Sequence, residues 1–90
     1  MTNKETADKI KISNDIQEIT DVLNNPFGFD RKKAIQIIGK HHISDWNIKI
    51  ADIILNINYD TLQYADHNQI RQYLWIINIY LYAKLLNETK

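Results

Sequence analysis

Ninety residues, weighing 10.7 kDa, include no Cys, one Pro and two Gly, and eleven Lys and Arg balance eleven Asp and Glu. A chain of this size is read as one helical domain, residues 1–90, because two halves would each be too small to bury a core. Without Cys there is no disulfide framework, no thiolate nucleophile and no sulfur-based zinc site. Two glycines cannot build a phosphate-cradling loop, and a zero net charge lacks the Lys and Arg surplus of a general nucleic-acid binder.

Residues 1–9 (MTNKETADK) hold almost nothing apolar and are expected to be frayed or solvated, although Thr2 and Glu5 fit a capping box that would start a helix early. Ile12, Ile16, Ile19 and Leu23 then recur at spacings of four, three and four, predicting an amphipathic helix with Asp15, Glu18 and Asp21 turned outward. Asn24, Asn25 and Pro26 end it, since the residue before proline is pushed out of the helical region. Phe27 and Phe29 are expected to pin the following loop to the core.

A second helix is predicted from Asp30, its N-cap, to His41, with Ala34, Ile35 and Ile38 inward and Ile37 beside them. Arg31, Lys32 and Lys33 in its first turn oppose the helix dipole, so the helix either starts earlier or carries these charges for another purpose. Gly39 and the KHH that follows weaken this helix, and Ser44 reads as the next N-cap. Trp46, Ile50, Ile53, Ile54 and Ile57 give the third helix its expected buried stripe, with Asp45 and Lys49 paired on its surface.

A short helical turn is expected at residues 61–65 after an Asp60–Gln63 box, and Asp66 with Gln69 forms the box that opens the last helix. That helix has two stripes: Ile70, Leu74, Ile77, Leu81 and Leu85, then Trp75, Ile79, Tyr82 and Leu86. Between Tyr73 and Leu86 the polar residues are Asn78 and Lys84. A helix apolar all round is normally buried all round, and about 21 Å of helix is too short to span a bilayer. The run YLWIINIYLY would also suit a buried strand, but the shortage of turn residues argues against hairpins. The predicted fold is therefore all-α: a compact bundle of three long helices plus one short helix, with the C-terminal helix central.

Few residues suggest chemistry. The histidines are His41, His42 and His67, and adjacent helical residues point about 100° apart, so His41 and His42 cannot share a metal from a regular helix. They are read as surface or helix-end residues. Ser13 and Ser44 are read as cap or helix-start residues, and Asp60, Tyr64, Asp66 and His67 as turn and cap residues. No enzyme activity, metal or cofactor is expected.

Two surfaces suggest partners. Arg31, Lys32, Lys33, Lys40, His41 and His42 form a candidate basic patch. Trp46, Tyr64, Tyr80 and Tyr82 are candidate interface anchors, with Asp45, Asp52, Asp60 and Asp66 as an acidic rim for a basic partner. The absence of an N-terminal apolar run suggests a cytosolic protein. Size, neutrality and lack of catalytic groups resemble, in profile and through no motif, the small helical immunity, antitoxin and inhibitor proteins of bacteria and phages.

The resulting expectation is a protein-binding module that inhibits or neutralises another macromolecule by steric occlusion. One alternative is a small DNA-binding regulator using residues 31–42. Ala34, Gly39 and Ser44 invite comparison with a helix-turn-helix, but Ala34 stands five rather than four before Gly39, and Asp45 occupies the usual apolar position. The other alternative is a homodimer or larger homo-oligomer held by the last helix.

Overall fold

The computed structural model describes the backbone of residues 3–88 and the side chains of residues 7–45 and 47–87. It contains helices α1 (Asn3–Leu23), α2 (Arg31–Ser44), α3 (Ile50–Leu55) and α4 (His67–Glu88). Two 3-10 helices, Trp46–Lys49 and Tyr59–Tyr64, flank α3. No strand occurs among the described residues. Helix α4 is central and packs on α1, α2 and α3. No helix among the described residues is long and apolar enough to cross a membrane.

Local chemistry explains most of the boundaries. Helix α1 already runs at Asn3, while Thr2 and the Glu5 side chain of the expected box lie outside the described residues. At the other end, the Asn25 side chain accepts from the Phe27 N–H at 2.9 Å, and Gly28 takes φ 114°, a region that favours glycine. Asp30 caps α2 by accepting from Lys33 N–H at 3.1 Å. The Asp66–Gln69 box forms in both directions: Gln69 N–H donates to Asp66 at 2.8 Å, and Asp66 N–H to Gln69 at 3.3 Å.

The core collects one face from each long helix. Ile12, Ile16, Ile19 and Val22 of α1 meet Ala34, Ile37 and Ile38 of α2 and Ile70, Tyr73, Leu74, Ile77 and Leu81 of α4. Ile48, Ala51 and Leu62 close the third side. Two expectations fail here, Asp15 turned outward and Phe27 pinned inward. Asp15 is buried beside Ile12 and Ile16, held by Lys11 at 3.3 Å and Lys40 at 3.7 Å. Phe27 is almost wholly exposed, and only Phe29 packs inward, against His67 and beneath the Arg71 guanidinium.

The middle of the chain departs furthest from its sequence pattern. Helix α2 continues through Gly39 to Ser44, so no turn separates the positions compared with a helix-turn-helix. Asp45, not Ser44, caps the next segment, accepting from Asn47 N–H at 3.0 Å. The Ser44 hydroxyl donates to the His41 carbonyl at 3.4 Å. The predicted third helix is broken into a tight 3-10 turn and a single α segment, ended by Asn56 in the left-handed region at φ 53°. The tighter turn re-phases the sequence: Ile48 and Ala51 face inward, while Ile50, Ile53 and Ile54 are exposed. Asn58, not Asp60, caps the second 3-10 helix, accepting from Asp60 N–H at 3.0 Å.

Gly39 is buried where α2 passes the second 3-10 helix, and a Cβ there would collide with the Tyr59 hydroxyl. Alanine normally stabilises a helix interior by about 1 kcal/mol over glycine. Gly39→Ala is therefore expected to lower the melting temperature in the wild-type chain and to raise it in a Tyr59→Phe background. Equal shifts in the two backgrounds would show that this contact does not decide the residue.

Candidate functional site

Two tyrosines of α4 organise the region between α2 and α3. The buried Tyr73 donates its hydroxyl in a short hydrogen bond to Asp52 of α3. Asp52 also meets His42 Nε2 at 3.3 Å, and the His42 ring stacks on Tyr59 with centroids 4.6 Å apart. About two turns further along α4, the Tyr80 hydroxyl donates to Asp45 at 2.8 Å and lies 3.3 Å from the Asn47 amide. Lys84 approaches the same carboxylate at 3.8 Å.

The protonation states fit these roles. Burial, and then the bond to Asp52, push the Tyr73 hydroxyl above its ordinary value, and burial with Asp45 does the same for Tyr80. Burial works against charge on Asp45, but Tyr80, Asn47 and Lys84 outweigh it and hold the carboxyl below its ordinary value. Asp45 and Asp52 are thus internal acceptors for tyrosine hydroxyls, and Tyr80 is half-buried in one of those bonds. None of the three belongs to a free rim or a protruding anchor.

The basic patch is also divided. Arg31 donates to the Gln63 carbonyl in a short hydrogen bond. Lys40 binds Glu18 at 2.9 Å and Asp15 at 3.7 Å, and the bond to Glu18 raises its pKa. His41 is buried and His42 is half-buried against Asp52, so Lys32 and Lys33 are what the stretch presents openly.

A cleft of about 230 Å³ between α1, α2 and α4 is lined by Asp8, Lys11, Asp15, His41, Ser44, Asp45 and Lys84, with Ile12 and Leu81 as its apolar part. Lys11 pairs with Asp15 and Lys84 with Asp45, and Ser44 bonds a backbone carbonyl. Among the described residues, no group of three His, Asp or Glu side chains could hold a metal ion.

Of the expected anchors, Tyr64 is exposed in the second 3-10 helix, with Asp60 and Asp66 exposed on either side of it in sequence. Tyr82 is exposed on α4, and the Trp46 side chain lies outside the described residues. The sequence pattern missed the outward isoleucines Ile50, Ile53 and Ile54, and it assigned Trp75 and Ile79, which are also exposed, to a buried helix. The available signal was Asp52, an acid amid isoleucines that could face inward only by turning them outward.

Replacing Tyr73 by Phe removes a buried donor from a carboxylate, and a loss of about 2 kcal/mol in urea unfolding is expected; a neutral result would mean the bond to Asp52 is not stabilising. His41 yields a pH prediction. Its Nε2 is buried with no hydrogen-bond partner, and burial lowers its pKa below the ordinary 6.5. The unfolded chain therefore takes up the proton first, and stability present above about pH 6.5 falls as pH drops toward 5. His41→Leu is expected to flatten the melting temperature between pH 7 and 5, and an unchanged slope would place the titration elsewhere.

No family model, curated protein or solved structure matches this chain.

Proposed function

We propose that this protein is a binding module that neutralises another protein by covering part of its surface, and that segment 50–66 is the face it uses. One observation carries this reading. Helix α3 holds its acid, Asp52, inward and displays Ile50, Ile53 and Ile54 to solvent. Exposed large apolar side chains grouped on one helix face mark interaction surfaces more often than isolated ones do. Tyr64 adds an amphipathic aromatic of the kind that anchors interfaces.

Charge indicates the partner's chemistry. Asp60 and Asp66 are exposed in this segment, so an apolar recess with a basic rim, as on a nucleic-acid-handling protein, would match it. The bond from Tyr73 to Asp52 sets the rotation of α3 and so holds Ile50, Ile53 and Ile54 outward before any partner arrives, which suits steric occlusion. The DNA-binding alternative is less well supported, because Arg31, Lys40, His41 and His42 are engaged within the fold.

The test is affinity capture from source-cell extract, comparing wild type with Ile53→Asp and with Tyr64→Ala. A basic protein retained by wild type, reduced at least about tenfold by either variant and weakened by salt, is expected. The recovered protein's own activity should fall when the wild-type chain is added back. Retention indifferent to both variants, or activity unaffected by the complex, would overturn the reading.

A further inference from the structure

The second apolar stripe of α4 is distinct from the face just described. Trp75, Ile79, Tyr82 and Leu86 are 54%, 64%, 50% and 65% exposed. Trp75 and Tyr82 each stand two residues from a tyrosine that binds the α3 side, Tyr73 or Tyr80, and so lie about 160° around the helix from it. The stripe therefore faces away from the Asp45 and Asp52 contacts. We infer that this stripe is a two-fold interface on which a second copy of the chain docks antiparallel.

Four features select a second copy. The spacings of four, three and four make the seam that lets one helix run along another at a shallow angle. No side chain of the seam is charged at neutral pH, nor are Gln72, Ile76 and Ala83 beside it, and the Arg71 guanidinium one turn before Trp75 sits over the Phe29 ring, so a copy buries no unpaired charge along the seam. The net charge is zero, so two copies do not repel through their overall field.

The fourth feature is symmetry. An isologous contact needs a surface complementary to itself. The order aromatic, isoleucine, aromatic reads nearly the same in both directions about Ile79. In an antiparallel pair Ile79 meets its own copy on the axis, and Trp75 of each chain lies opposite Tyr82 of the other.

Area sets the expected strength. At these exposures the four side chains present roughly 450 Å² per chain, taking about 200 Å² for a fully exposed large side chain. Two copies, with the flanking residues, reach about 1,000 Å², the lower edge of specific interfaces. The pair should be reversible, with Kd on the order of 10 µM.

Sedimentation equilibrium from about 1 to about 300 µM tests this, since the monomer–dimer balance follows mass action. The wild-type mass should rise from 10.7 kDa toward twice that value. Ile79→Glu, at an exposed position, should keep the wild-type circular dichroism and weaken association at least tenfold. Trp75→Lys and Tyr82→Glu chains should each associate poorly alone and better when mixed, because the mixed pair sets Lys against Glu at one end and keeps the native contact at the other. Ile53→Asp should leave association unchanged, which separates this interface from the α3 face. A monomer at every concentration, a dimer indifferent to Ile79→Glu, or a mixture no tighter than its components would overturn the inference.

Discussion

The hydrogen bond from Tyr73 to Asp52 is the constraint on which the middle of this protein depends. Tyr73 is fully buried on the central helix, and its hydroxyl requires an acceptor there. The acceptor comes from a six-residue helix that is otherwise mostly isoleucine, alanine and leucine. Turning Asp52 inward fixes the rotation of that helix. Ala51 goes into the core with Ile48, and Ile50, Ile53 and Ile54 are left in water. Here satisfying a buried polar group takes precedence over burying the largest apolar area, because a buried hydroxyl left without an acceptor is costly.

Tyr80 and Asp45 repeat the device about two turns along α4. Together the two bonds tie the connection between α2 and α4 to the central helix at both ends of residues 45–52. His42, stacked on Tyr59 and facing Asp52, extends the tie to the second 3-10 helix. A segment rich in short turns is thereby tied to the central helix through side-chain contacts.

Helix α4 serves two purposes with one sequence. One side supplies Ile70, Tyr73, Leu74, Ile77 and Leu81 to the core, and the other displays Trp75, Ile79, Tyr82 and Leu86. Three helices of this size cannot enclose a fourth completely, since a small domain buries only part of its chain surface. The uncovered stripe follows from that geometry.

Much of the architecture was set by local sequence. Asp30, Asp66 with Gln69, and the Asn24–Asn25–Pro26 stop fix helix ends through side-chain bonds to nearby backbone, and the isoleucine spacing of α1 and the leucine spacing of α4 select the core faces. These are interactions within a few residues, so they can be read from the chain alone. What tertiary structure decided involves partners far apart in sequence: Tyr73 with Asp52, Tyr80 with Asp45, Lys40 with Asp15 and Glu18, Arg31 with Gln63. Those pairings drew Asp45 and Asp52 out of an apparent acidic rim and Arg31 and Lys40 out of an apparent basic patch, and they turned an apparent core stripe on α3 outward. A single-helix pattern cannot foresee this, because which face of a short helix is buried depends on the polar groups its neighbours leave to be satisfied.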